Sequence, residues 1–358
     1  MRVAVAGAGA FGRNHLRVYR ELENAGSGVE LVAAVEPDPR NSAEAEEGYG
    51  IPVFLTVEDM LRADLGVDAA SVAVPTIHHH AVASQLLDAG LDVLVEKPLA
   101  ASLAEADELV SLADRKKCIL QPGHLERFNP AVLAIEPRLR RPMFFEAHRL
   151  SVFTPRSLDV DVVLDLMIHD LDIVLTFARS PVREVRAVGL PILSPKVDIA
   201  NVRIEFESGC VANFTASRVS TERVRKLRFF EPRQYVSIDY ARRDLLVIKL
   251  DSGVPGNLPP EIAAMIAAGK MDPAMLAKLA AAGGTPTPGL SFAKPEIKEG
   301  EPLRLEIESF LGSVRTRQAP KVTARQGRDA LALALAIQDA MAAHAHRAGL
   351  GNFFEGNS

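Results

Sequence analysis

Residues 2–12, RVAVAGAGAFG, decide how the first part of the chain is read. A run of small and β-branched apolar residues passes directly into Gly7, Gly9 and Gly12, and 12–23 continues with helical periodicity. G-x-G-x-x-G between a strand and a helix has a mechanical meaning: the first glycine permits the tight turn, the second lets backbone approach a pyrophosphate, and the third lets helix and strand pack closely. The helix N-terminus adds unpaired N–H groups and partial positive charge, with Ala10 and Phe11 at its mouth. A second signal follows in VAAVEPD (32–38), where Glu36 stands at the end of the next strand. An acidic side chain there holds a ribose 2′-hydroxyl and repels a 2′-phosphate, which favours NAD over NADP; Arg40, close behind, opposes that preference. A fortuitous glycine turn is the plain alternative, and the strand, helix and acidic residue in the right places weigh against it.

Outward from this stretch, strand-like runs at 3–6, 29–35, 53–55, 69–74, 93–95 and 119–120 alternate with helical patterns at 12–23, 57–63, 79–89 and 103–116. Such alternation implies right-handed crossovers and an α/β domain of Rossmann type, a doubly wound parallel sheet over 1–123. After Gly123 the strand-like runs lengthen, at 143–153, 185–193, 199–206 and 211–217, with a helix at 160–177 among them. That texture predicts an α+β domain over 124–358 with a large, mainly antiparallel open sheet. Residues 251–300, rich in Ala, Gly and Pro with a short helix at 273–282, read as an insertion or mobile arm. Helical periodicity returns at 303–314 and 326–346, as helices packing back on the body.

Length and composition agree. At 358 residues the chain exceeds what one core usually serves, and 48% hydrophobic with 24% charged residues describes a globular protein. No apolar run is long enough to span a bilayer, and net charge −5 argues against a nucleic-acid binder. The opening residues lack a signal-peptide pattern, and two cysteines, Cys118 and Cys210, offer neither a disulfide framework nor a CxxC site. A soluble, cytoplasmic protein is expected.

Chemistry concentrates in VDVVLDLMIHDLDIVLTF (160–177). On an ideal helix Asp161, Asp165, His169 and Asp172 share a stripe within about a quarter of the circumference, on a helix otherwise almost wholly apolar. Such a row needs partners, a metal or a ligand. A structural Asp165–His169 ion pair, with Asp161 and Asp172 at the solvent edge, fits the same pattern. A metal held by the four is the weaker reading, and His78, His79 and His80 cannot converge on one ion because consecutive helical residues point about 100° apart. Arg218, Arg223, Arg225, Lys226 and Arg228 form a basic cluster that reads as a solvated strand face or a substrate-phosphate site.

The chain resembles the glucose–fructose oxidoreductase, inositol dehydrogenase and MocA family. The resemblance rests on GAGAFG; PTIHHHAVASQLLDAGLDVLVEKPLA (75–100), with its Pro, His and EKP triplet; GHLERFNPAV (123–132); DLMIHDLD (165–172); and EPLRLEIESFLGSVRTRQAPKV (301–322). It covers nearly the whole chain apart from about 251–300. It implies an NAD-dependent dehydrogenase oxidising a secondary hydroxyl of a sugar, with Lys97, Asp165 and His169 in catalytic positions. Pro75, Thr76, His79, Glu96 and Lys97 then border the cofactor. Chemistry gives the roles independently: His169 is the base, Asp165 orients it, and Lys97 polarises the oxygen. GHLERFNPAV is most similar to the nucleotide-sugar branch, UDP-N-acetylglucosamine 3-dehydrogenases in particular, which sets His124, Glu126, Arg127 and Asn129 beside the substrate and makes C3 the oxidised carbon. Arg127 and Phe128 as buttresses of the domain junction is the structural alternative. The family also implies a homodimer or homotetramer through the open sheet. Two rivals stand: a non-catalytic NAD-binding sensor, and an oxidoreductase that retains its cofactor between substrates.

Overall fold

The computed structural model describes residues 1–154, 160–250 and 290–350. These form two compact units, Met1–Phe128 with Gly300–Leu335, and Asn129–Glu299 with Ala336–Ser358.

In the first unit β1 (Arg2–Ala6), α1 (Gly12–Asn24), β2 (Glu30–Val35), α2 (Pro39–Tyr49), β3 (Val53–Phe54), α3 (Val57–Arg62), β4 (Ala69–Val72), α4 (His79–Asp88), β5 (Asp92–Glu96), α5 (Leu103–Lys116) and β6 (Leu120–Gly123) follow one another. The six strands pair in parallel in the order β3-β2-β1-β4-β5-β6. Every residue of β4 and β5 is buried. That explains their continuous apolar runs, since helices cover both faces of such a sheet. Helix α2 escaped the sequence reading. It buries only Ala45, so it has no apolar periodicity; Asp38 starts it by accepting the N–H groups of Arg40 and Asn41, and Gly50 ends it at φ +62°.

The second unit contains α6 (Pro130–Ile135), β7 (Phe144–Leu150), a π-helical turn (Val163–Met167) leading into α7 (Ile168–Ala178), and β8 (Val182–Leu190), β9 (Ile199–Phe206), β10 (Val211–Ser217), β11 (Val224–Glu231), β12 (Gln234–Asp239), β13 (Asp244–Leu250) and β14 (Leu290–Ala293). The eight strands run β14-β13-β12-β11-β7-β10-β9-β8, antiparallel except for β7–β10. Burial alternates along β7 and β10, so one face is packed and the other open. Strand β11 was hidden by its charge, because Arg225, Lys226 and Arg228 are interspersed with inward-facing Leu227 and Phe229. The segment expected as an arm ends in β14, which pairs with β13; its residues 251–289, including the expected helix at 273–282, lie outside the described residues.

Two helices close the chain, α8 (Pro302–Thr316) and α9 (Ala324–Arg347). The sequence-based division at residue 123 assigned both to the second domain. Instead, Leu303, Ile307, Phe310, Leu311 and Val314 of α8 complete the apolar cluster of Val3, Val5, Leu16, Tyr19 and Leu31 in the first unit. Burying a side chain such as Phe310 contributes about 1.5–3 kcal/mol, enough to fix α8 there. Among the described residues no helix is long and apolar enough to cross a membrane.

Candidate active site

The C-terminal ends of β1, β2, β4, β5 and β6 carry most of the residues singled out in the first unit. Gly7 has φ +94°, and a Cβ there would lie 2.7 Å from the Ala73 carbonyl. A Cβ on Gly12 would stand 1.8 Å from the Gly7 oxygen, so only glycine lets α1 start beneath the loop. Gly9 differs, with nothing within 4 Å of its position. That is the open approach a pyrophosphate needs, and α1 has no acidic residue in its first turn to repel one. Buried Glu36 accepts the Ala8 N–H (2.7 Å) on one oxygen and the Asp38 N–H (3.0 Å) on the other. A carboxylate has room for about four acceptor contacts, leaving capacity for ribose hydroxyls. The cradle fits a dinucleotide. Arg40 is exposed, its guanidinium held by Glu44 at 3.1 Å; Ala10 and Phe11 are exposed at the mouth.

After β4, Pro75 is exposed and Thr76 half-buried. His79, expected as a helix-start contact, is buried: Nδ1 lies 2.8 Å from the Pro98 oxygen and Nε2 2.9 Å from the Val74 oxygen, tying the β4 loop to the EKP turn. Burial pushes its pKa below the ordinary histidine value, against the pull of those two carbonyls. Lys97 is half-buried and its peptide with Pro98 is cis. Glu96 is buried against His15 of α1, Nε2 to Oε1 being 2.9 Å. His15 was missed by the sequence reading; its one signal was a polar side chain on the inward side of α1, three residues after Gly12.

In the second unit the expected four-residue stripe divides. Asp161 precedes the helix and caps it: Oδ1 accepts the N–H groups of Val163 and Leu164 at 3.0 Å, and Oδ2 accepts Gln338 Nε2–H at 2.6 Å. Asp165 lies in the π turn and His169 in the first turn of α7, both half-buried. Asp161 and Asp172, at 8% and 2% exposure, are not the solvent edge of the helix. Asp170 is also buried, gripped by Arg149 at 2.7 and 3.1 Å, and the Arg149 guanidinium lies 5.3 Å from the Tyr240 ring centre. Neither residue of that pair was foreseen. Charged residues separated in sequence and joined only by tertiary folding leave no periodic signal.

His124, Glu126 and Arg127 are buried after β6. Asn129 caps α6, its Oδ1 accepting the Ala131 N–H (3.1 Å) and its Nδ2 donating to the Tyr240 carbonyl (3.2 Å), which gives both ends of its amide local structural partners. The basic cluster also divides. Arg223 and Arg225 are exposed and Arg228 meets Glu146 at 3.2 Å, as a solvated strand face requires. Arg218 is instead buried on Asp198 (2.7 Å) and donates to the Val160 carbonyl (2.9 Å), bracing the entry to the site helix. Burial alone would raise the Asp198 carboxyl, but donors from Ser194, Arg218, Ile192 and Leu193 outweigh it and hold it well below the usual carboxylate range. Among the described residues no group of three or more His, Cys, Asp or Glu is placed to hold a metal ion.

Comparison with known proteins gives two family matches: an oxidoreductase family with an NAD-binding Rossmann fold over residues 1–124, and the GFO/IDH/MocA C-terminal domain over 132–233. The UDP-N-acetylglucosamine 3-dehydrogenase of Acidithiobacillus ferrooxidans is 31% identical over 349 residues, 97% of this chain and 99% of the relative. Its solved structure superposes with a TM-score of 0.80, covering 96% of this chain and 98% of that one. An inositol 2-dehydrogenase of Corynebacterium glutamicum is 30% identical over 213 residues, 55% of this chain and 58% of the relative. A Bordetella pertussis dehydrogenase in complex with NADH and UDP-GlcNAcA shares the fold, at 18% identity and a TM-score of 0.71 over 95% of this chain and 96% of that one.

Proposed function

The chain belongs to the GFO/IDH/MocA oxidoreductase family, and from that premise we propose that it is an NAD-dependent dehydrogenase oxidising a secondary hydroxyl of a nucleotide sugar, C3 of UDP-N-acetylglucosamine or a close analogue. The observation that carries this reading is the near full-length similarity to a UDP-N-acetylglucosamine 3-dehydrogenase, on a chain whose sequence keeps the glycine motif, Lys97, Asp165 and His169. A nicotinamide held at the glycine cradle would supply the hydride acceptor. His169 takes the hydroxyl proton, because imidazole has its intrinsic pKa near neutrality. Asp165, one turn earlier, orients the ring and stabilises its protonated form. The Lys97 ammonium stabilises the developing alkoxide. Glu36 carries the preference for NAD, since its carboxylate accepts ribose hydroxyls and repels a 2′-phosphate, while Glu44 draws Arg40 aside.

The same reading makes the open face of the large sheet a contact between copies of the chain, as homodimer or homotetramer. Phe144, Phe230 and Tyr235 line up across three strands on that face, half-buried, with ring centres 5.4 and 5.1 Å apart. Such an aromatic row is costly to leave in water.

The test is to mix the purified protein with NAD and a panel of UDP-sugars and follow absorbance of the reduced cofactor. Lys97→Ala and His169→Ala are each expected to lower kcat by about 10²–10⁴-fold. Absence of turnover across the panel, or variants equal to the native protein, refutes the proposal.

A further inference from the structure

His15 is the fourth residue of α1, and its ring is fully buried. Its Nε2 lies 2.9 Å from Oε1 of Glu96, the last residue of β5. The second Glu96 oxygen accepts the backbone N–H of Lys97 at 3.3 Å. Gly123, the last residue of β6, is the third wall of the same pocket: a Cβ there would sit 3.0 Å from Glu96 Cα, Cδ and Oε1, so the acid side chain lies across a position that must stay bare. Phe11 closes the near side, edge-on to His15 at 5.6 Å between ring centres. One buried carboxylate therefore connects the helix that opens from the glycine loop to the peptide that carries Lys97.

We propose that His15 is a positioning residue for the dehydrogenase reaction, coupling through Glu96 the occupancy of the glycine loop to the placement of Lys97. The inference rests on the NAD-dependent reading above. A buried carboxylate is tolerated only with donors, and His15 and the Lys97 N–H supply them from the two elements it joins. His15 donates from Nε2, either as the neutral tautomer with its proton there or as imidazolium. When the pyrophosphate seats on the first turn of α1, any adjustment of that turn passes to His15, to Glu96, and to the Lys97 amide. Without His15 the acid loses its donor from α1 and turns to a new one, which reorients the peptide before Pro98.

The test reads amide hydrogen exchange with and without NAD, and needs no sugar substrate. In the native protein NAD is expected to slow exchange at residues 94–98 as well as at 7–15. In His15→Ala protection at 7–15 persists and the change at 94–98 disappears. Because truncation leaves a void, His15→Gln and His15→Asn are compared as well. Gln carries an amide to the Nε2 position and keeps the coupling, whereas Asn reaches only the Nδ1 position and loses it. In steady-state assays kcat of His15→Ala falls by about 10- to 100-fold, as expected for a misplaced catalytic group, while the Kd for NAD moves less than about threefold. Unchanged protection at 94–98 in His15→Ala, identical behaviour of the Gln and Asn variants, or kcat and NAD affinity falling together overturns the proposal. A native protein that binds NAD but turns over no UDP-sugar refutes the substrate reading, and the exchange data then still decide the coupling.

Discussion

Replacing Arg149 with Met is expected to be among the most destabilising single changes in the second unit. Its guanidinium and the Asp170 carboxylate are 4% and 3% exposed, so water does not screen them. The two bonds between them, 2.7 and 3.1 Å, form a bidentate fork. Removing one partner of a buried pair strips the other charge of its bidentate counter-charge, at a cost of about 3–5 kcal/mol. Loss of the guanidinium from the Tyr240 face adds about 0.5–2 kcal/mol. Replacing both partners with apolar residues, Arg149→Met with Asp170→Leu, should recover stability to within about 1 kcal/mol of the native protein, because both halves of the fork leave together. Urea unfolding measures this by circular dichroism and by tyrosine emission, which no tryptophan obscures in a chain with four tyrosines and none of the larger indole. Asp170 immediately follows His169, so the single variant should also lose kcat. A loss below about 1 kcal/mol in the single variant, or an equal loss in the double one, refutes the argument.

Gly9→Ala and Gly12→Ala separate ligand approach from folding. The first meets nothing within 4 Å and should keep the native melting temperature while losing NAD affinity, whereas the second collides with the Gly7 oxygen and should lose both, with overpacking strain of about 1–3 kcal/mol. Calorimetry with and without NAD distinguishes them. Glu36→Ser should cut the NAD-to-NADP ratio of kcat/KM by about 10- to 100-fold, the equivalent of one lost charge-assisted contact; an unchanged ratio removes Glu36 from cofactor choice. Asp198 has its folded pKa depressed, so its contribution is complete above the unfolded carboxyl value near about 4 and is lost as pH falls below it. Asp198→Asn should therefore lower stability at neutral pH and flatten the acid decline of the melting temperature below about pH 4.

The glycine loop was readable because its chemistry is local. Strand, turn and helix lie within 23 residues, and each glycine answers a constraint set by its immediate neighbours. Lys97, Asp165 and His169 were singled out by resemblance to the family's EKP and D-x-x-x-H stretches, and their roles belong to the proposal. What sequence concealed falls into two kinds. Helix α2 and strands β11 and β13 lack clean periodicity, since the helix is almost wholly exposed and the strands carry charge on both faces. His15–Glu96, Arg149–Asp170 and Asp198–Arg218 join residues 20 to 81 positions apart, and nothing in the intervening sequence marks such partners. The stripe failed for another reason. It assumed a uniform helix, and Asp161 lies before the helix as its cap.

The π turn at Val163–Met167 holds one more residue than the α turn it replaces. Loss of any single residue there would restore an unbroken α ladder, so this is a place where chain length can change by one at little cost to packing. Where the residue lost lies between them, Leu166 or Met167, it would also turn Asp165 by about 100° relative to His169. Among relatives, a one-residue gap between these two positions would therefore mark a change in the relative orientation of the two side chains at constant architecture, which overall identity does not reveal.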